Sequence, residues 1–248
     1  MPLYSNTHIP GIFVEFEHAL TKFAPNSVFD TGIALLKPSK EAKYLYNTEQ
    51  LTRTRFIPEL KEHAKTKRLI DYSMTNISIL QPQIEQKILY FPILFSPDLI
   101  QPKKEKIYDV AFIGYITPRR AAILRELSKT CQVMIINTYA YLEKYRQIFS
   151  AKVLLNVHAE TDFQVFEFSR CSIPVFNGQV VISEDADVSK ETGTNAEVVK
   201  HVIFSPYDQL VTKVKEVLKD YSKYTYKLDV KIFQKCGQDD LDNFCKEI

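Results

Sequence analysis

A lone glycine followed within six residues by a proline and two arginines is a pattern suited to holding an anion. It occurs in Asp109-Val-Ala-Phe-Ile-Gly-Tyr-Ile-Thr-Pro-Arg-Arg-Ala-Ala-Ile-Leu124. The apolar run before Gly114 reads as a buried strand, and Pro118 as the opening of a helix. Backbone N–H groups at a helix N-terminus favour negative charge, and Arg119 and Arg120 add formal charge beside them. The chemistry implied is reception of a phosphate or diphosphate; the plain alternative for the arginines is a solvated helix start.

Other chemistry-bearing residues follow later apolar runs. Asn137 stands after one, Asn156-Val-His158 after another and Ser183-Glu184 after a third. His158 reads either as a ligand or as a packed loop histidine. Glu167, in Phe166-Glu-Phe-Ser-Arg170, falls near a helix start, where its carboxylate can accept two hydrogen bonds from a ribose diol; alone it is an ordinary surface acid. Arg170, one turn on, can pair with it or reach a phosphate. Asp185-Ala-Asp187 has the spacing to bridge a divalent cation to phosphates, but its place late in the chain favours a polar loop. Asp239-Asp-Leu-Asp242 reads as a solvated helix start. A single glycine is not the Gly-x-Gly-x-x-Gly of dinucleotide sites, and no Gly-x-x-x-x-Gly-Lys-Ser/Thr occurs, so nicotinamide, flavin and P-loop readings lose their support.

The elements that must hold these residues show in the periodicity. Apolar strands are expected at 108–113, 132–136, 152–157, 179–182 and 201–204, separated by helices at 118–129, 140–149, about 163–173 and about 189–199. Such alternation means a mostly parallel sheet covered on both faces, with ligands at the carboxyl ends of its strands. Pro206 opens a further helix, 207–221, and 225–248 is expected to be helical. The first half is less regular. It offers strands at 32–36, 44–46, 68–71 and 87–94, a helix capped by Asn47 or Thr48, and helices at 58–67 and 73–80. Residues 12–20 fit a strand or a helix. Residues 96–106, with two prolines and Lys103-Lys-Glu-Lys106, read as a linker.

The 248 residues suffice for one large domain or two small ones, and a net charge of +2 gives no concentrated basic excess for a nucleic-acid partner. No apolar run approaches the roughly 18 residues that span a bilayer. The first eight residues lack a signal pattern, and the four cysteines form no Cys-x-x-Cys, so a cytoplasmic protein without zinc or disulfides is expected.

With these motifs in order, the chain resembles two-domain (GT-B fold) glycosyltransferases, short members of the group 1-like type. The resemblance rests on Phe112-Ile-Gly114, Pro118-Arg-Arg120, Leu155-Asn-Val-His158, Phe166 to Arg170, Val181-Ile-Ser-Glu184 and Tyr207-Asp-Gln-Leu-Val211, with Tyr46 to Leu51 and Asp71-Tyr-Ser73-x-x-Asn76 in the first half. It implies an α/β chain of two Rossmann-like domains: a small acceptor-side domain over 1–100, a parallel-sheet donor-binding domain over 101–220, and a helical tail, 221–248, packing back. It implies transfer of a monosaccharide from a nucleoside-diphosphate sugar, a UDP-sugar such as UDP-xylose or UDP-glucose, to a glycan hydroxyl. The partners would be that donor and the glycan acceptor, with no cofactor and no metal, and inversion is preferred. Glu167 would hold the ribose. Gly114, Tyr115, Pro118, Arg119, Arg120, Asn137, His158, Arg170 and Glu184 would surround the rest of the donor. A general base would come from His8, Glu15 or Asp71, with Glu17 sharing a face with Glu15 on a strand. The alternatives are a non-catalytic nucleotide- or phosphosugar-binding module, and a metal-dependent transferase using Asp185 and Asp187.

Overall fold

The computed structural model describes residues 31–33, 43–137, 141–162 and 164–248; His8, Glu15 and Glu17 lie outside them. In chain order the regular elements are β1 (Thr31–Ile33), β2 (Tyr44–Asn47), α1 (Ile57–Ala64), β3 (Arg68–Asp71), α2 (Met74–Leu80), β4 (Leu89–Tyr90), β5 (Tyr108–Ile113) and α3 (Pro118–Ser128). They continue with β6 (Val133–Ile136), α4 (Tyr141–Ile148), β7 (Ala151–Asn156), α5 (Phe168–Phe176), β8 (Val180–Glu184), α6 (Gly193–Val199), β9 (Val202–Ser205), α7 (Leu210–Lys219), α8 (Tyr221–Tyr224) and α9 (Val230–Glu247). The chain is α/β, built on two parallel sheets of the Rossmann-like kind.

These elements divide into two compact units. The first joins the described residues up to Phe95 with Asp187–Glu197 and Lys231–Ile248; the second holds Ser96–Ala186 and Val198–Val230. The cut at Phe95 falls where the proline- and lysine-rich linker begins. Asp187–Glu197, expected in the second domain, belongs with the first unit, as does the tail from Lys231.

In the first unit four parallel strands lie in the order β1-β2-β3-β4. Helix α1 buries Ile57, Leu60 and Ala64 against this sheet and leaves Glu59, Lys61 and Glu62 in water, the spacing of an amphipathic helix. Helix α9 buries Phe233, Gly237, Leu241 and Phe244 on one stripe, and the Phe244 ring sits 4.7 Å from that of Phe91. Segment 187–197 is held by Glu191. Its carboxylate accepts from Ser73 Oγ at 2.6 Å, from the Met74 and Thr75 N–H groups at 3.2 Å each, and from Asn195 Nδ2 at 3.0 Å. A buried carboxylate with four donors is strongly satisfied, which explains why this stretch leaves the strand–helix rhythm of its neighbours.

The second unit has the order β6-β5-β7-β8-β9, all parallel. From β5 the chain crosses to β6 on one side, then returns to place β7 on the other. The sheet therefore has a topological switch point between β5 and β7, and in open sheets of this kind ligands bind outside the carboxyl ends at such a point. Alternate residues Val110, Phe112, Val153, Leu155, Val180 and Ile182 bury one face against α3 and α7. These strands are the continuous apolar runs that the sequence shows, as sheets covered on both faces require.

Several boundaries move. The strand expected over 87–94 pairs only at Leu89–Tyr90, because Pro92 has no N–H to give a ladder. No helix starts at Asn47 or Thr48; the Asn47 side chain closes a turn by accepting from the Glu49 N–H, and it donates to Asp71. The helix expected from about 163 begins at Phe168 and runs through Pro174 to Phe176, and that expected from about 189 begins at Gly193. The helix expected over 207–221 is a 3-10 turn, Tyr207–Gln209, followed by α7 and α8.

Candidate functional site

Strand β5 ends at Ile113, and Gly114 follows with φ at +133°, a conformation that side chains rarely adopt. A Cβ there would lie 3.1 Å from the Arg170 guanidinium and 3.3 Å from that of Arg120, so two cations lie over this glycine. Tyr115 is 78% exposed on the loop beyond, and Pro118 takes the first turn of α3. Thr117 caps the helix: its hydroxyl oxygen accepts from the Arg120 N–H and its O–H donates to Ala159 O.

Arg120 is buried, its side chain 4% exposed. Its Nε donates to Val157 O at 2.7 Å and one terminal nitrogen to Tyr115 O at 2.9 Å. The other faces Glu167 Oε1 at 3.4 Å. Glu167 Oε2 pairs with Arg170 at 2.6 Å. Arg170 also donates to Asn156 Oδ1 at 2.5 Å, and Asn156 Nδ2 donates to Ser183 Oγ at 3.0 Å. The two guanidiniums thus share one carboxylate and are braced from the ends of β7 and β8.

Arg119 has a different partner. It forms a two-pronged ion pair with Glu184 and donates to His158 O at 3.1 Å, while its guanidinium lies 3.7 Å from the centre of the Tyr207 ring. Glu184 also accepts from the His158 N–H at 3.0 Å. Three guanidiniums and two carboxylates meet along this edge.

His158 is 2% exposed. Its Nε2 lies 2.9 Å from Asp185 O, which can only accept, so the ring proton sits on Nε2. Nδ1 is buried without a hydrogen-bond partner among the described residues. Burial holds this imidazole below its ordinary value of 6.5, against the pull of Glu184. The unfolded chain therefore takes up a proton near pH 6.5 that the folded chain refuses, and the contribution of His158, whole above pH 6.5, is lost as the pH falls below it. The gap in melting temperature between wild type and His158→Gln should shrink between pH 7.5 and 5.5. A constant gap would contradict this.

Asn137, one residue past β6, is exposed on the same edge, since Ile136 pairs with Ile113. The second unit therefore brings Gly114, Arg119, Arg120, His158, Glu167, Arg170 and Glu184 together, with Tyr115, Pro118 and Asn137 at the rim. Asn156 and Tyr207 join them. Asn156 was legible as a polar residue closing an apolar strand; the stacking of Tyr207 on Arg119, 88 positions away, left no local signal.

Asp71 belongs to the first unit. It ends β3 at 2% exposure, accepting from Asn47 Nδ2, the Ser73 N–H and Asn76 Nδ2 at 2.7, 2.9 and 3.1 Å. Burial pushes its carboxyl up to about 7 against those three donors. Its oxygens are occupied in tying loop 47–51 to β3, where Leu51 N donates to Asn76. Asp187 Oδ1 accepts from both the N–H and the hydroxyl of Ser189, a local turn. Among the described residues no group of three His, Cys, Asp or Glu is placed to hold a metal ion, and no helix is long and apolar enough to cross a membrane.

The geometry makes Gly114 sensitive. In Gly114→Ala the new methyl meets both guanidiniums in a backbone conformation costing about 1–3 kcal/mol for a non-glycine residue. The melting temperature should fall by several degrees; an unchanged melting temperature would mean that the two guanidiniums do not crowd this glycine.

No protein-family model matches the chain. It is similar to proteins of Acanthamoeba polyphaga mimivirus. Uncharacterized protein R358 is 30% identical over 184 residues, covering 73% of this chain and 64% of that protein. Uncharacterized protein L140 is 31% identical over 184 residues, 71% of this chain and 59% of that one. Uncharacterized protein L137 is 31% identical over 200 residues, but the match spans only 26% of its length. The chain thus spans less than two thirds of each of these relatives. Among solved structures, the crystal structure of TarM overlaps at a TM-score of 0.44 with 11% identity, over 84% of this chain and 48% of that one. A chain of the Glycosylation Associate Protein (Gap123) complex from Streptococcus agalactiae overlaps at 0.42 with 8% identity, over 92% and 54%. The glycotransferase of kitacinnamycin overlaps at 0.37 with 10% identity, over 96% and 80%. Overlaps this loose assign no activity.

Proposed function

We propose that this chain is a glycosyltransferase of the GT-B kind, taking a monosaccharide from a nucleoside-diphosphate sugar to a hydroxyl of a glycan acceptor. The observation that carries the reading is the pair of guanidiniums, Arg120 and Arg170, over Gly114 at the switch point of a five-stranded parallel sheet. Breaking the bond between sugar and diphosphate builds negative charge on the departing phosphates. Guanidiniums fixed beforehand stabilise that charge without reorganising, so the step needs no metal. Arg119 and His158 stand on the same edge. In this proposal a UDP-sugar such as UDP-xylose or UDP-glucose is the donor, the first unit holds the acceptor and the reaction inverts. The general base is His8, Glu15 or Asp71; Asp71 would have to give up its hydrogen bonds from Asn47, Ser73 and Asn76 to act as one.

The test is a thermal-shift panel of nucleoside-diphosphate sugars, followed by a hydrolysis and transfer assay on those that bind. A ligand at a hundredfold excess over its dissociation constant should stabilise the protein by roughly 2.7 kcal/mol, and the same ligand should be turned over. Binding without hydrolysis or transfer would leave only a binding module. Activity that survives a chelator and Asp187→Ala would remove a metal-dependent route through Asp185 and Asp187.

A further inference from the structure

The resemblance assigns Glu167 to a ribose, but the arrangement around it gives that carboxylate other work. Oε1 faces Arg120 at 3.4 Å and Oε2 holds Arg170 at 2.6 Å. Its side chain is 14% exposed, Arg120's 4% and Arg170's 15%, so the three charges lie in a partly dehydrated space where their mutual attraction is strong. Both guanidiniums also lie over Gly114. Two like charges brought to one glycine repel each other, and Glu167 bridges them. The bracing continues on the far side. Arg170 is held by Asn156 at 2.5 Å, Asn156 by Ser183 at 3.0 Å, and Ser183 Oγ donates to Glu184 O at 2.8 Å. This chain of contacts links the ends of three neighbouring strands, β5, β7 and β8.

We propose that Glu167 is a positioning residue: it holds Arg120 and Arg170 together as a paired cationic fork over Gly114, with Asn156 as the outer anchor, and the fork recognises a diphosphate whatever the diphosphate carries. This rests on the diphosphate reading of the site and changes what Glu167 does in it. A ribose-holding Glu167 acts only on ligands that contain ribose. A positioning Glu167 acts equally on ligands that lack it.

The experiment is calorimetric titration of wild type, Glu167→Gln and Asn156→Leu with inorganic pyrophosphate and with uridine diphosphate, well below each protein's melting temperature. Wild type is expected to bind both. Glu167→Gln removes the shared counter-charge and should weaken both ligands by the same factor, about tenfold or more, each tenfold being about 1.4 kcal/mol. Asn156→Leu, which leaves Glu167 in place, should likewise weaken both together. A loosened fold would not be repaired by restoring the charge, whereas Glu167→Asp, which keeps the carboxylate, should recover part of both affinities relative to Glu167→Gln. Loss of uridine diphosphate affinity with pyrophosphate unchanged would overturn the proposal in favour of ribose contact. Unchanged or tighter binding of both ligands would overturn it outright. A wild type that binds neither ligand would remove the diphosphate reading and this inference with it. Should Glu167→Gln fail to fold, Glu167→Asp makes the same comparison: a carboxylate one methylene shorter should weaken both ligands by one factor, whereas a lost ribose contact would weaken uridine diphosphate alone.

Discussion

Arg120→Ala should be among the most damaging single changes in the second unit. The side chain is buried and does three jobs at once: it donates to Val157 O and Tyr115 O and faces Glu167. It also lies 5.6 Å from the centre of the buried Phe112 ring. Alanine withdraws every one of these contacts, leaves Glu167 with Arg170 as its remaining cation, and opens a hole beneath α3. Breaking a buried ion pair by removing one partner costs about 3–5 kcal/mol. For a chain of this size that corresponds to a fall in melting temperature of roughly 6–20 °C. Arg120→Lys keeps the charge, but a single ammonium cannot span two carbonyls and a carboxylate, so it should recover only part of the loss. A drop below about 2 °C for the alanine variant would mean that Arg120 is not the brace described.

Gly193→Ala should be comparably severe in the first unit, for a steric reason. Gly193 has φ at +55°, and a Cβ on it would fall 1.9 Å from Asp240 Oδ1 and 2.5 Å from both Cγ and Oδ2. No side chain tolerates that approach, so Asp240 must leave. It is 7% exposed and accepts from the Thr194 N–H at 2.7 Å, capping the start of α6. The variant therefore loses a charged hydrogen bond, about 1.5–3 kcal/mol, on top of about 1–3 kcal/mol of backbone strain. The decisive comparison is a double-mutant cycle with Asp240→Ala. Removing the carboxylate first abolishes the clash, so the double variant should be more stable than the sum of the singles predicts, by at least 1 kcal/mol. Strict additivity would show that the two residues do not meet.

How much of this was legible in the sequence differs between the units. Runs such as Val153-Leu154-Leu155 and Val180-Val181-Ile182 carry strand length, type and burial within themselves, and the second unit's strands fall within a residue or two of their expected limits. The Gly114 turn was legible too, because a glycine before Pro118 and two arginines is a local pattern. What was not legible depends on partners distant in sequence. Glu191 reaches Ser73 across 118 positions and Asp240 reaches Thr194 across 46, and these contacts place segment 187–197 with the first unit. Similarly, Asn47 was a plausible helix cap by type, but Asp71, 24 positions on, claims its side chain. In sequence Arg119 and Arg120 read together as phosphate ligands. In the fold they have separate carboxylates, Glu184 and Glu167, and the guanidiniums nearest the glycine are those of Arg170 and Arg120. Residue types told which groups stand at the strand ends; the pairing among them is a property of three dimensions.

If the proposed function is right, the donor's diphosphate sits at Gly114 between Arg120 and Arg170. In a crystal structure of the protein grown with uridine diphosphate, phosphate oxygens should then lie within hydrogen-bond distance of the Arg170 guanidinium, beside the Gly114 turn at the switch point between β5 and β7. Well-defined nucleotide with its phosphates on any other edge of the sheet, or a fully saturated crystal with water alone at Gly114, would contradict it.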